Sequence, residues 1–358
     1  MREFRPLDYV LLASGCMIFQ SSITRIIDKI QKVVLVAHTL YFLSQSLPWV
    51  FRHGINRSVL KHASGLLDAV FALIFIQVMS VKREDMRILL ETMAKHLEEK
   101  RRDCLRQYAI VSSLLTWINV FRLIGFSIML FLRVKEKHGF QNNFVLITCY
   151  GYLISWLFGG IAVYGFYVKT LTYVEEEYFD RLDNIVKNDL TWSIDSLCIE
   201  NRVIMHLKED IVTCFGPIPC LWLVHTFIRA TGIMFTHGTD RQITKSVTLT
   251  IDVLALVWLI FLCEHAKQKA KDKTSHIRME MLRRGKTDKW QNLVHELEEA
   301  EKLNFSAWNM FTIRKTVIPA FVGSLGNFMV LVSQMIRDLS ENNERRAAMN
   351  ITRNSTMY

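Results

Sequence analysis

The chain has 358 residues, of which 51% are hydrophobic and 22% charged, and its formal net charge is +10. The hydrophobic residues form blocks of about 20 separated by charged stretches, which is typical of membrane-spanning helices and not of a soluble domain. Cytoplasmic loops of membrane proteins are rich in Lys and Arg, so this charge does not require a nucleic-acid partner. We predict a protein of the lipid bilayer.

The cysteines and the short motifs argue against enzymatic chemistry. Seven cysteines are present, an odd number, and no Cys-x-x-Cys pair occurs. This pattern does not favour a disulfide framework or a zinc site. The sequence also has no nucleophile elbow, Walker loop, His-Glu-x-x-His pair or dinucleotide-binding fingerprint. We therefore predict that the protein is not an enzyme, has no catalytic or metal-binding residues and needs no cofactor.

In chain order, residues 1–32 come first, with a short apolar stretch that leads into polar residues. We predict a cytoplasmic segment with an interfacial helix and no cleavable signal peptide. Seven apolar blocks follow, each long enough to cross about 30 Å of hydrocarbon at about 1.5 Å per residue. The predicted spans are 33–51, 60–81, 108–132, 144–168, 211–235, 246–263 and 316–336.

The distribution of Lys and Arg predicts the orientation of these spans. With a cytoplasmic N-terminus, the inner segments hold 30 of the 44 basic residues and the outer segments hold 12. This excess favours a cytoplasmic N-terminus and an extracellular C-terminus. The glycosylation sequons at Asn350 and Asn354 then lie outside the cell. The orientation is the reverse of a G-protein-coupled receptor, and the Asp/Glu-Arg-Tyr and Asn-Pro-x-x-Tyr motifs of that class are absent.

The predicted cytoplasmic segments have the periodicity of amphipathic helices. In residues 83–107 one helical face carries five apolar side chains, and residues 289–308 repeat the pattern. The five are Met86, Leu89, Leu90, Met93 and Leu97. We expect these helices to extend the membrane spans into the cytosol and to pack together there. The predicted fold class is an all-α membrane protein with seven transmembrane helices.

Segments near the C-terminus carry a resemblance to a known family. Residues 305–311 read FSAWNMF, and the last span reads NF, then MVLVS, then QM at 327–335. The chain resembles the insect gustatory receptors, whose last span carries Thr-Tyr, five apolar residues and Gln-Phe. A Phe-Thr/Ser-Ala-x-Gly-x-Phe-type segment precedes that span in the family. Residues 207–223, around Phe215-Gly216, are similar to the start of the family's fifth span.

The chain also departs from the family pattern. Asn327-Phe328 replaces Thr-Tyr, Asn309 replaces the glycine and Met335 replaces the final phenylalanine. These differences indicate a divergent member of the insect seven-transmembrane chemoreceptors. Sugar-sensing members tend to carry an acidic residue where this chain has Met329, so a sugar receptor is disfavoured. Insect odorant receptors share the topology and are the nearest alternative family.

The resemblance implies a ligand-gated, non-selective cation channel in the plasma membrane of chemosensory neurons. It implies a small-molecule tastant as ligand and a homo- or heterotetramer with related receptors. Residues 33–265 would form a six-helix ligand-sensing domain, and residues 266–315 would form cytoplasmic anchor helices where subunits meet. Residues 316–336 would be the pore-lining helix, followed by an extracellular tail, 337–358.

One face of the last span is polar. Five residues fall within an arc of about 80° on the helix. They are Ser324, Asn327, Leu331, Gln334 and Asp338. Polar groups in hydrocarbon are costly unless they face protein or water. They either hydrogen-bond to neighbouring helices or line a pore, with Leu331 as an apolar constriction and Gln334 and Asp338 as polar rings. The resemblance favours the pore.

Ionisable and aromatic residues inside the first six spans are candidates for a ligand pocket. The ionisable candidates are Asp68, Arg122, His225, Arg229 and Asp252, and the aromatic ones are Tyr150, Tyr152, Trp156, Trp222 and Trp258. The two acids and two arginines either neutralise one another as buried pairs or line a hydrated pocket open to the outside. The sequence leaves both arrangements open.

Two other classes of membrane protein fit a chain of seven spans. A transporter would need internal repeats or broken helices at mid-membrane, and the segment FGPIP at 215–219 is the one stretch that resembles a break. A seven-helix signalling receptor without its own pore is the second alternative. Replacing Gln334 distinguishes these classes from a channel, because a pore residue controls ion passage.

Overall fold

The computed structural model describes residues 77–134, 140–188, 194–234, 239–284, 287–307 and 310–328, with isolated positions before residue 77 and after residue 328. Helices and one short hairpin form this part of the chain. In order, they are α1 (Arg83–Lys95), α2 (Glu99–Val134), α3 (Phe140–Asn188), α4 (Ile194–Phe215), α5 (Pro217–Met234), α6 (Thr239–Arg283), α7 (Thr287–Lys302), β1 (Ser306–Ala307), β2 (Phe311–Thr312) and α8 (Val317–Phe328).

Two of the helices are far longer than a membrane is thick. Helix α3 has 49 residues and α6 has 45. At about 1.5 Å per residue, each exceeds the roughly 30 Å hydrocarbon core about twofold. The predicted spans 144–168 and 246–263 therefore continue without interruption into charged helical extensions. Of the two segments predicted to extend the spans, 83–107 does so through α2, which begins at Glu99, whereas α7 continues neither α6 nor α8.

The predicted apolar face of residues 83–107 is buried, as expected. Met86, Leu90 and Met93 are fully buried, and Leu89 and Leu97 nearly so. The expected single helix is instead two helices, because α1 ends at Lys95 and α2 begins at Glu99. The backbone N–H of Glu98 donates a hydrogen bond to the Glu177 carboxylate of α3 at 2.8 Å. This cross-helix contact satisfies a donor at the interruption.

Ion pairs join the extensions of α2, α3 and α6. Arg101 of α2 contacts Glu176 and Asp180 of α3, with a nitrogen–oxygen distance of 3.1 Å to Asp180. Lys269 and Lys273 of α6 contact the same two acids. Single exposed pairs contribute little, but a network that shares its carboxylates contributes more. The predicted packing of these extensions against one another is confirmed; their cytosolic location stays a prediction.

The segment 266–315, predicted to form anchor helices, also contains a hairpin. Strands β1 and β2 pair antiparallel, with Ser306 opposite Thr312 and Ala307 opposite Phe311. Phe305, Ala307 and Ile313 are buried, so the segment alternates between inside and outside as a strand does. The backbone N–H of Ile313 donates to the Phe305 carbonyl at 2.8 Å. The hairpin therefore separates α7 from α8.

Two stretches within the described part of the chain are long and apolar enough to cross a membrane. They are Ile194–Ala230, which includes α4 and most of α5, and Leu249–Arg283 in α6. Val317–Phe328 is a shorter apolar helix. The predicted fifth span, 211–235, begins inside α4 and not at the start of a helix. It also contains Gly216, which forms a turn between α4 and α5. The seven-span topology and the sides of the termini stay predictions.

Candidate functional site

The polar stripe of the last helix faces away from the rest of the chain. All five of its residues are exposed, and Leu331 has 62% of its surface accessible. The stripe consists of Ser324, Asn327, Leu331, Gln334 and Asp338. A polar face that packed on its own chain would be buried. The stripe is therefore not held by hydrogen bonds to neighbouring helices in the described part of the chain.

A second side of the last helix, about 90° around from the polar stripe, is held by aromatic contacts. The Phe227 ring of α5 lies 4.6 Å from the Phe328 ring and 6.4 Å from the Phe321 ring, measured between centroids. Aromatic pairs at these separations are favourable beyond their buried area. These contacts fix the rotation of α8 relative to α5, which turns the polar stripe outward.

Four of the predicted pocket residues come together between α5 and α6. Arg229 and Asp252 form an ion pair at 2.6 Å, and both side chains are buried. Trp222, which is fully buried, donates its indole N–H to the Asp252 carbonyl at 3.0 Å. His225 is also buried, one helical turn from Trp222 and Arg229. The arrangement favours internal neutralisation of this acid and this arginine over an open, hydrated pocket.

Trp258 belongs to a different contact, between α6, α2 and α3. Its ring is stacked on Tyr108 with the centroids 6.4 Å apart, and 40% of its surface is exposed. Gly165 of α3 lies directly under this ring, so that a Cβ atom at position 165 would overlap the Cη2 and Cζ3 atoms of Trp258. Trp258 is therefore a packing residue whose outer edge remains accessible.

The side chains of the remaining predicted site residues lie outside the described part of the structure. Arg122 is in α2, and Tyr150, Tyr152 and Trp156 are in α3; their side chains are outside the described part. Asp68 and the sequons at Asn350 and Asn354 lie outside the described residues altogether. Their roles stay predictions. Among the residues that are described, no group of His, Cys, Asp or Glu side chains is arranged to hold a metal ion.

Sequence reasoning missed a cavity beside the turn between α4 and α5. It has a volume of about 490 Å³. Its lining residues are Gln77, Val78, Val81, Lys82, Val212, Thr213 and Pro217. Pro217 has no N–H, so it cannot donate the helical bond to the Thr213 carbonyl, and the helix opens there. The FGPIP segment was the available signal, since it indicated a break.

A buried acid and lysine connect α3 to α4 near the hairpin. Glu175 and Lys208 are mostly buried, and their charged atoms lie 3.9 Å apart. Burial raises the pKa of the Glu175 carboxyl, and the Lys208 ammonium opposes this shift. Lys208 also lies over the Phe305 ring, 5.4 Å from its centroid. The lysine therefore joins the helical extensions to the first residue of the hairpin region.

Long apolar helices with packed charged extensions define an all-α fold. The chain is similar to the insect olfactory receptor OR5 from Machilis hrabei, with a TM-score of 0.67 and 10% identity over 92% of this chain and 97% of that one. The same receptor in complex with eugenol matches with a TM-score of 0.66 and 9% identity, over 93% and 98%.

Both structures are of an olfactory receptor. No protein-family model matches the sequence, and no curated protein is similar to it. The similarity therefore lies in the path of the backbone, over nearly the whole of both chains. The chain has the fold of an insect olfactory receptor.

Proposed function

We propose that this protein is an insect-type chemoreceptor that acts as a ligand-gated, non-selective cation channel. The observation that carries the proposal is the exposed polar stripe on α8 and on the described helical positions that follow it, in a chain with the fold of an insect olfactory receptor. Several copies of such a helix around an axis would direct the stripe into a water-filled pore. Leu331 would then form the apolar constriction, with Gln334 and Asp338 beyond it.

The finer features of the proposal follow from the resemblance to the insect gustatory receptors. They are seven spans with a cytoplasmic N-terminus, a homo- or heterotetramer, a small-molecule tastant and the plasma membrane of chemosensory neurons. The similarity to an olfactory receptor in complex with eugenol supports a small organic ligand. It supports an odorant as well as it supports a tastant. A ligand would open the channel by binding the open form more tightly than the closed form.

The proposed cytoplasmic anchor, residues 266–315, would contact other subunits through surfaces other than the apolar face of α7. Trp290, Leu293 and Leu297 are buried, and α7 is held to its own chain by Arg202–Glu296 and Arg278–Glu298 ion pairs. Contacts between subunits would therefore involve the hairpin and the outer face of α7. Met310 at the hairpin turn, with 71% of its surface exposed, is available for this.

Replacing Gln334 by Ala is expected to change the single-channel conductance or the ion preference without reducing surface expression. The physical reason is that an amide ring at this depth contacts permeating ions and their water. Currents are recorded in cells challenged with a panel of tastants and odorants that includes eugenol. The matched control is Phe328→Leu, on the side of α8 that contacts Phe227; it is expected to alter expression and leave the conductance unchanged. An unchanged Gln334→Ala conductance in a responding channel would remove the pore assignment.

The topology is expected to be inverted relative to a conventional receptor. An antibody to an N-terminal tag should bind only after the cells are permeabilised, because the basic residues favour a cytoplasmic N-terminus. Glycosidase treatment should lower the apparent mass of the wild-type chain and not of Asn350→Gln/Asn354→Gln. A tag accessible on intact cells would contradict the proposal and favour a conventional signalling receptor or a transporter.

A further inference from the structure

The lysines of the α6 extension divide between two faces. Lys269 and Lys273 contact the acids Glu176 and Asp180 of α3. Lys267 and Lys271 also lie four residues apart, but on another face, because two residues along a helix correspond to about 200° of rotation. Lys267 donates to the side-chain oxygen of Asn304, next to the hairpin. One face of the extension is therefore neutralised by α3, and the other is directed toward the segment that leads into α8.

That second face meets further positive charge. Arg314 and Lys315 immediately precede α8 and are exposed, as is Lys271. The charges of Arg314, Lys208 and Lys271 all repel the Lys267 ammonium, and Glu264 opposes them. We call Lys267, Lys271, Arg314 and Lys315 the basic cluster. Among the described acids, none forms an ion pair with its members, in contrast to Lys269 and Lys273.

Exposed apolar surface adjoins the basic cluster. The Lys315 ammonium lies 5.4 Å from the centroid of the Phe261 ring, which has 50% of its surface exposed. Leu254, Trp258 and Phe261 are spaced as neighbours on one side of α6, and all three are exposed. Lys315, one of the four cations, therefore adjoins the end of an apolar stripe. Such a surface is complementary to a molecule with an anionic head and a hydrocarbon tail.

We propose that the basic cluster binds the phosphorylated headgroup of an anionic phospholipid in the cytoplasmic leaflet, with an acyl chain along Leu254, Trp258 and Phe261. The proposal rests on the orientation given under the proposed function, which puts this end of α6 and α8 at the inner membrane surface. A free polyphosphate would use the cations but not the apolar stripe. The continuity of the two surfaces favours the lipid.

A bound headgroup would connect two elements that otherwise repel each other. Lys267 and Lys271 belong to α6, whereas Arg314 and Lys315 belong to the segment that leads into α8. A phosphate between them replaces cation–cation repulsion with charge-assisted hydrogen bonds. The lipid would therefore stabilise the position of the inner end of α8.

The test uses the purified full chain in phosphatidylcholine nanodiscs and native mass spectrometry. The probe is dioctanoyl phosphatidylinositol 4,5-bisphosphate, with dioctanoyl phosphatidylcholine as the neutral comparison. Lys271→Gln/Arg314→Gln/Lys315→Gln is expected to bind the bisphosphate lipid about tenfold more weakly or worse, because each basic side chain near an anionic lipid contributes separately. The charge-preserving variant Lys271→Arg/Lys315→Arg should bind it like the wild type.

The matched control is Lys95→Gln/Lys100→Gln/Arg106→Gln, which removes three exposed cations from α1 and α2. Equal loss in both triple variants would overturn the site, since binding would then follow net charge alone. Competition by free inositol trisphosphate at equal concentration would overturn the lipid as occupant. If the triple variant does not fold, Lys315→Gln alone should still weaken binding relative to Lys95→Gln. Lipid binding is measured by mass spectrometry and not from currents. Failure of the proposed channel function and failure of the proposed lipid site are therefore distinguishable.

Discussion

Arg229→Met is expected to destabilise the folded protein by about 3–5 kcal/mol, because it leaves the Asp252 carboxylate buried without its arginine. The pair is 2.6 Å apart and nearly inaccessible. In practice most of the variant should be lost from the monodisperse peak in fluorescence-detected size-exclusion chromatography after mild heating. Asp252→Leu should have an effect of the same sign, since it leaves a buried guanidinium.

The double variant Arg229→Met/Asp252→Leu is expected to recover most of the lost stability, because both buried charges are removed together. The control is Arg202→Met, which breaks the ion pair with Glu296 where the arginine is 66% exposed. An exposed pair of this kind contributes about 1 kcal/mol or less. Equal heat resistance of Arg229→Met and the wild type would contradict the buried-pair assignment.

The same double variant addresses the ligand site. If the pair only supports the packing of α5 against α6, a folded double variant should respond to the same compounds as the wild type. Loss of the response in a protein that folds normally would instead show that one of the two charges contacts the ligand. That result would restore the hydrated pocket as the role of Arg229 and Asp252.

Gly165→Val is the second change with a large expected effect. Any Cβ at position 165 overlaps the six-membered ring of Trp258, and that ring cannot move freely because it is stacked on Tyr108. Overpacking of a tightly packed contact costs roughly 1–3 kcal/mol and occasionally more. The melting temperature of the purified protein should fall, and Gly165→Ala should produce a smaller decrease of the same sign.

Trp258→Leu in the Gly165→Val background is expected to restore part of the stability, because the shorter side chain makes room for the added methyl groups. Gly125→Ala is the matched control, since a Cβ there meets no atom within 4 Å. In a helix interior it should be neutral or stabilising by up to about 1 kcal/mol. Additive effects of Gly165→Val and Trp258→Leu would show that the two residues do not contact each other.

Several features of the fold could be predicted from the sequence because they depend on local periodicity. The five apolar residues of the 83–107 face repeat at helical spacing, and all are buried. The apolar blocks ending near Val168 and Cys263 run directly into amphipathic sequence without Gly or Pro. They are continuous helices in the structure for that reason. The polar stripe of the last helix could likewise be located by counting residues.

The candidate site could be predicted only in part. Trp222, Arg229 and Asp252 stand out in the sequence because polar groups are rare in apolar helices. Pairing of the two acids and two arginines was one of the predicted arrangements, but which acid meets which arginine was not predictable, because Asp252 is 23 residues from Arg229 and lies on the next helix. Gly165 carried no signal at all, since its role depends entirely on the ring of another helix. The hairpin at 306–312 was missed because two-residue strands have no periodicity to detect.

By itself, the sequence determined the class of the protein: apolar helices of membrane length, their charged continuations and the face of the last helix that carries its polar residues. These are properties of neighbouring residues, governed by the 3.6-residue repeat and by the transfer of side chains out of water. Only the tertiary structure decided which charges are compensated. Lys269 meets Glu176 while Lys267, two residues away, meets other cations. The electrostatic energy of each depends on distances to other helices, which no local pattern contains.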